Sequence, residues 1–196
     1  MTISSSDLLS RPMKAKLKLA ILVSGNGSNM EAIIRACAQK QIDAEVMIVI
    51  SNNPKAYALT RAKKLNIPFE VLKDETEIAK TLQKLQPDLI CLAGFMKILS
   101  AQFVKTFSGK MINIHPSLLP QFPGMHAITQ AFQARAKETG VTVHYVTEEV
   151  DAGPILLQEK VAIQADDTEA SLTERIHEAE HRIYPAAIQR IIHRSW

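Results

Sequence analysis

The residues best suited to chemistry lie in Met111-Ile112-Asn113-Ile114-His115-Pro116-Ser117-Leu118-Leu119-Pro120. Ile112 and Ile114 bracket Asn113 as in a buried strand, and Pro116, with no N–H to donate, ends it. Side chains alternate along a strand, so Asn113 and His115 share a face. An amide and an imidazole then stand together at the C-terminal end of a strand, where open α/β sheets bind ligands. Asn supplies neutral N–H donors, and His supplies a donor that also carries a proton. The pair suits an oxygen that turns negative during a reaction. One Asn-x-His taken alone is more often an edge-strand amide and a solvated imidazole, so the rest of the chain decides between the two readings.

Three further stretches bear on that choice. In Gly25-Asn26-Gly27-Ser28-Asn29, glycines between a predicted strand and a predicted helix let the backbone approach an anion, and the helix start offers free N–H groups. The Gly-Lys-Ser/Thr ending of a Walker loop is missing, and Met30 stands where a dinucleotide fingerprint has its third glycine, so one phosphate fits better than a pyrophosphate. The plainer reading is a tight turn with a Ser/Asn cap. Asp151 sits in the polar loop Thr147–Pro154; beside His115 its carboxylate would favour the imidazolium, although sequence alone does not bring the two together. His177-Glu178-Ala179-Glu180-His181 matches the His-Glu-x-x-His of zinc hydrolases on a predicted helix. The extended form with a glycine and a third histidine is absent, only fifteen residues follow, and both histidines lie off the apolar stripe. A solvated face is therefore favoured over a metal site.

The elements that must position these residues follow from hydrophobic periodicity. Leu19–Val23, Val46–Ile50, Phe69–Leu72, Leu89–Ala93 and Met111–Ile114 are short apolar runs expected as strands. Between them, helical spacing appears at Met30, Ile33, Ile34 and Cys37, at Ala58, Leu59, Ala62 and Leu65, and at Ile78, Leu82 and Leu85. Ser100 is placed to cap a short helix carrying Phe103 and Phe107. This alternation predicts an α/β fold: a doubly wound, Rossmann-like, mostly parallel sheet flanked by helices. After Pro120 the rhythm changes. Ile128, Ala131, Phe132 and Arg135 suggest a helix. Val141, Val143 and Tyr145 alternate with Thr142 and His144 as in a half-exposed strand, and Ile155–Val161 reads as another. Leu172, Ile176, Ala179 and Ile183 make a long amphipathic helix that Pro185 could kink. Mixed strands are thus expected in the C-terminal half.

Composition limits the function classes. The chain has 196 residues, with 46% hydrophobic content, enough for a sizeable core in one domain. A formal charge of +3, without a dense basic block, gives no support to nucleic-acid binding. Cys37 and Cys91 lie in apolar patterns and read as reduced core thiols. No apolar run reaches the length of a membrane span, and no signal-peptide core is seen near the N-terminus, so a cytoplasmic protein without membrane partners is expected. Residues 1–16 read as a flexible N-terminal tail and 17–196 as a single domain, with 17–110 as its phosphate-binding half and 111–196 as its catalytic half.

Ser24-Gly25-Asn26-Gly27-Ser28-Asn29, Leu92-Ala93-Gly94-Phe95-Met96, Asn113 to Pro120 and Asp151-Ala152-Gly153-Pro154 come in this order. From about Leu17 to near the C-terminus, the chain resembles the phosphoribosylglycinamide formyltransferases, folate-dependent enzymes of purine synthesis. The Asn-x-His-Pro-Ser-Leu-Leu-Pro segment is specific to folate formyl enzymes as a group; the Ser-Gly-Asn-Gly-Ser-Asn loop narrows the likeness to those that handle glycinamide ribonucleotide. The resemblance implies formyl transfer from 10-formyltetrahydrofolate, as co-substrate and without a metal, to the amine of that ribonucleotide. It implies Asn113, His115 and Asp151 as the catalytic trio. Gly27, Ser28 and Asn29 would hold the phosphate, with Glu180 near the same substrate. Met96, Lys97, Ile98 and Leu99, with Asn113, Thr147, Glu148, Glu149, Val150 and Asp151, would line the folate pocket. The partners are small molecules, and the protein a monomer or homodimer. Two departures from the family stand out: a short stretch between Leu72 and Ile78, where family members carry a longer segment with an arginine near the folate, and the end at Trp196. Both bear on the folate tail more than on the chemistry. Competing readings are a formyltetrahydrofolate deformylase, a zinc hydrolase using His177 and His181, and a catalytically silent nucleotide-binding protein.

Overall fold

The structure, a computed structural model, describes residues 16–194. The expected N-terminal tail lies outside them apart from Lys16. Five strands are parallel: β1 (Leu17–Val23), β2 (Ala44–Ser51), β3 (Phe69–Val71), β4 (Leu89–Leu92) and β5 (Met111–His115). Two more, β6 (Glu138–Tyr145) and β7 (Ile155–Ala162), extend the sheet antiparallel. The strand order is β3-β2-β1-β4-β5-β6-β7. The chain winds outward from β1 to β3 and returns on the other side through β4, so the order reverses between β1 and β4. Such a reversal is the usual place for a ligand site in open α/β sheets.

Period-two alternation explains how both faces are filled. On β1, Leu19, Ile21 and Val23 join a core shared with Met30 and Ile33 of α1 (Ser28–Ala38) and with Ile176, Ala179 and Ile183 of α6 (Glu169–Arg194). Ala20 and Leu22 face the other way, into a second core with Ile78 and Leu82 of α3 (Glu75–Leu85) and Phe103 of α4 (Ala101–Thr106). Covering both faces is why the parallel strands read as unbroken apolar runs. Each fully buried Leu or Ile contributes about 1.5–3 kcal/mol. The Ser100 hydroxyl accepts from Phe103 N at 3.2 Å and caps α4.

Several expectations are corrected. β6 is not half-exposed: Thr142 and His144 are as buried as Val141 and Val143. β7 pairs along one edge of β6 and β5 along the other, while the Pro116–Gly124 turn and the loop after β6 lie over the Thr142/His144 face. The helix around Ala131, α5 (Ala127–Gln133), stops short of Arg135, which has a left-handed φ of 51°. α6 runs through Pro185 as one element. Cys91 is buried, but Cys37 is only half-buried. The remaining helix, α2 (Tyr57–Lys64), packs against the turn that precedes α1. Among the described residues no helix is long and apolar enough to cross a membrane.

Candidate active site

Asn113 and His115 are carried by the last residues of β5, on one face as the alternation requires. The register opposes Asn113 to His144 and His115 to Thr142 across the β5–β6 pair. Thr142 fixes the proline turn: its hydroxyl donates to the Ser117 carbonyl at 2.7 Å and accepts from Leu119 N at 3.1 Å. The chain after β6 folds back so closely that a Cβ on Gly153 would lie 1.7 Å from the Tyr145 carbonyl oxygen. Only glycine fits, and this return places Asp151, at φ 56°, over the end of β5.

The result is one buried cluster. Asp151 Oδ2 lies 3.4 Å from His115 Nδ1 and accepts from Gly124 N at 2.8 Å. Asp151 Oδ1 lies 3.6 Å from His144 Nε2, and the same nitrogen is 3.3 Å from Asn113 Nδ2. Burial pushes the Asp151 carboxyl up, but its contact with the His144 ring, the Gly124 amide and the nearby His115 outweigh it and hold the carboxyl below its ordinary value. His115 Nε2 is 2.9 Å from the Phe122 carbonyl, so it donates there. Both nitrogens of His115 thus face acceptors, an arrangement that only the imidazolium satisfies completely. This qualifies the picture of two free donors on one strand. Asn113 Nδ2 has a second hydrogen not used by His144, whereas His115 must release the Phe122 carbonyl to reach a substrate.

The cluster lines a cavity of about 560 Å³. Met96, Lys97, Ile98 and Leu99 after β4, and Thr147, Glu148, Glu149 and Val150 after β6, line the same cavity with Asn113, His115 and Asp151. A mostly apolar cleft of this size takes a small organic molecule. Met96 and Ile98 are largely exposed at its edge. In the stretch between Leu72 and Ile78, Asp74 caps α3 through Thr76 N at 2.6 Å, and Lys97 Nζ donates to the Lys73 carbonyl at 3.1 Å. The short stretch is thereby tied to the cavity's edge.

Gly27, Ser28, Asn29 and Glu180 lie outside that lining, beside it. Gly27, at φ 77°, precedes α1, whose first turn has no side-chain cap. Arg61 of α2 holds the loop by donating to the Asn26 carbonyl at 2.9 Å and to Asn26 Oδ1 at 2.8 Å, and it pairs with Glu31. The Asn29 side chain does not point towards an anion at the turn. Its Nδ2 donates to Glu180 Oε2 at 2.9 Å, because α6 packs across α1 there. Burial pushes the Glu180 carboxyl up to about 7, with the Asn29 bond opposing. Tyr184, one turn on, donates its hydroxyl to the Leu92 and Ile112 carbonyls and so fixes α6 over the ends of β4 and β5. Asn29 Oδ1 and His181 Nε2 are buried without a hydrogen-bond partner. Burial, helped by the charges of His177 and Arg61, lowers the His181 proton affinity. His177 is exposed, and among the described residues no three His, Cys, Asp or Glu side chains gather as metal ligands.

Ser24 joins the two regions: its hydroxyl accepts from Met96 N at 2.8 Å and donates to Asn52 Oδ1 at 2.7 Å. Sequence reasoning missed Ser24, Arg61, Gly124 and His144. The alternation of His144 with Val143 placed it on a face, but only the β5–β6 register shows that this face meets Asn113.

The Formyl transferase family model matches residues 17–188. The Drosophila melanogaster trifunctional purine biosynthetic protein adenosine-3 is 46% identical over 89% of this chain; the chain spans only 14% of that protein's length. The Escherichia coli phosphoribosylglycinamide formyltransferase is 41% identical over 88% of this chain and 85% of its own length. The crystal structure of phosphoribosylglycinamide formyltransferase from Anaplasma phagocytophilum superposes with a TM-score of 0.86 at 44% identity, covering 88% of this chain and 85% of that one.

Proposed function

This chain belongs to the formyl transferase family, and on that footing we propose that it moves a formyl group from 10-formyltetrahydrofolate to the amine of phosphoribosylglycinamide, a step of purine synthesis. The observation that carries the proposal is the buried meeting of Asn113, His115, His144 and Asp151 on the wall of the 560 Å³ cleft, next to an uncapped helix start.

In this reading the folate occupies the cleft between the 94–99 loop and the 147–151 loop. The ribonucleotide lies with its phosphate against the N–H groups of Ser28 and Asn29 at the start of α1. Asn29 acts through its backbone and through Glu180, since its side chain is committed there. The unpartnered Asn29 Oδ1 and His181 Nε2 suit a polar ligand on this side.

The amine nitrogen attacks the formyl carbon, a C–N bond forms, and the carbonyl oxygen becomes an oxyanion. Asn113 donates its free N–H to that oxygen; one such donor is typically worth about 2.7–4 kcal/mol of barrier. His115, with Asp151 Oδ2 3.4 Å from its Nδ1, exchanges the Phe122 carbonyl for the reacting centre and gives a proton to the leaving folate nitrogen as the old C–N bond breaks. Asp151 is placed to receive the proton lost by the amine, directly or through water. The scheme uses no metal.

The test is an assay of purified protein with 10-formyltetrahydrofolate, with and without phosphoribosylglycinamide. Formyl transfer that requires the ribonucleotide is expected. Folate hydrolysis at the same rate without it would establish the deformylase reading instead. Asn113→Ala should lower kcat by about a hundred- to a thousandfold with both KM values little changed.

A further inference from the structure

His144 is 2% exposed, stands inside the catalytic cluster, and has no part in the scheme above. Its chemistry is set by what each ring nitrogen faces. Nδ1 lies 2.9 Å from the Tyr145 carbonyl oxygen. A carbonyl oxygen only accepts, so Nδ1 carries the hydrogen, and in the neutral ring Nε2 is a bare acceptor. That lone pair has two neighbours: Asn113 Nδ2 at 3.3 Å and Asp151 Oδ1 at 3.6 Å. From the carboxylate it gains nothing. From the amide it takes a hydrogen.

We propose that His144 is a positioning residue, whose Nε2 fixes the Asn113 carboxamide with its second N–H free for the reacting oxygen. The inference rests on the formyl-transfer reading of this site. The opposite amide rotamer would set Asn113 Oδ1 against the Nε2 lone pair, acceptor against acceptor, in a buried place where such a mismatch costs most. The same rotamer would leave no amide N–H on that side to accept from.

The fold is built to hold this contact. Asn113 and His144 are direct partners in the β5–β6 register. The β6–β7 register shifts between Val143 and His144, an irregularity of the kind that re-aims a side chain beside a site. Gly153 leaves room against the Tyr145 carbonyl, the oxygen that sets the tautomer. A proton added at Nε2 would reverse the arrangement. The ring would donate to Asp151, and the Asn113 amide would turn its oxygen to His144 and withdraw its donor. The titratable groups facing His144 are Asp151 from the loop after β6 and, beyond that carboxylate, His115 from β5; its β7 partner, Ile155, carries no charge.

The experiment is a double-mutant cycle on the whole chain, with kcat and both KM values for formyl transfer. His144→Ala should lower kcat about ten- to a hundredfold while each KM stays within about twofold. His144→Gln keeps an acceptor near the position of Nε2 and should recover most of the loss. In an Asn113→Ala background, His144→Ala should cost less than about threefold, because the amide it orients is gone. An equal loss in both backgrounds overturns the inference and leaves the formyl-transfer reading intact. A wild type without ribonucleotide-dependent formyl transfer overturns that reading and takes this inference with it. Thermal midpoints check that the variants fold. Should His144→Ala fail to fold, long-range ¹H–¹⁵N spectra of the wild type decide: a hydrogen on Nδ1 with Nε2 bare supports the inference, and a hydrogen on Nε2, in the neutral or the charged ring, overturns it.

Discussion

Replacing Glu180 by Gln should make the unliganded protein more stable above neutral pH and poorer at using the ribonucleotide. Glu180 is 7% exposed, and its side chain accepts from Asn29 Nδ2 at 2.9 Å. Burial disfavours the carboxylate more than this contact supports it, so the carboxyl is pushed from an ordinary 4.5 to about 7. Below pH 4.5 the group is protonated in both the folded and the unfolded chain and has no effect on their balance. Between 4.5 and about 7 the unfolded chain has released the proton while the folded chain keeps it, so stability falls as pH rises. Above about 7 the whole cost is present. At ~1.4 kcal/mol per pH unit it is on the order of 3 kcal/mol. Gln avoids that cost. Its carbonyl still accepts from Asn29 Nδ2, and its amide can donate to Asn29 Oδ1, which is buried without a partner. Urea denaturation of both proteins between pH 5 and 8.5 reads the effect. The variant's advantage should be small at pH 5 and should grow towards a midpoint shift of roughly 1–2 M at pH 8.5. KM for the ribonucleotide should rise, by about tenfold or more, with KM for the folate little changed. A stability difference that is constant with pH, or that shrinks as pH rises, refutes the argument from burial.

Two other perturbations probe the site from different sides. Gly27→Ala should destabilise the fold by on the order of 1–3 kcal/mol, since the residue has φ 77° and the added Cβ would lie 2.5 Å from the Ala58 Cβ; Gly27→Ala/Ala58→Gly should recover part of the loss in a thermal melt, and no recovery would place the cost in the backbone alone. Asp151→Asn should lower kcat by about a hundredfold, because the ring of His115 loses its charged partner. The Asp151 carboxyl is held below its ordinary 3.8, so the stability it contributes is present above that value and lost as pH falls through the depressed one. Acid denaturation should therefore show the wild type losing its advantage over Asp151→Asn below about pH 4.

The glycine loop shows how far residue types carry an argument and where they stop. Gly25-Asn26-Gly27-Ser28-Asn29 announces a turn into a helix start, and that is what forms. The sequence also offers Gly27 as the residue that lets an anion approach. The structure gives a second reason for glycine, the backbone of α2 packed at Ala58. The Asn29 side chain reads as an anion donor in sequence, yet it turns inward to a residue 151 positions away. No local pattern carries that information.

Residue order alone specifies the alternation of strands and helices, the two-sided burial of the parallel strands, and the shared face of Asn113 and His115. Each depends on a period of two or 3.6 residues, which is local. The family resemblance gave Asp151, already a candidate in its loop, a catalytic role and added Glu180 as a substrate residue. Which groups meet is set by long-range packing: Asp151 with His115 and His144, Asn113 with His144, and Asn29 with Glu180. Those contacts depend on the β5–β6 register, on a loop that returns over Gly153, and on the packing of α6 across α1. A one-residue slip in that register would turn His144 to the opposite face while leaving every residue type in place. The tautomer of His144 and the burial of Glu180 are set by neighbours distant along the chain or by the local return of the backbone, so their chemistry belongs to the fold.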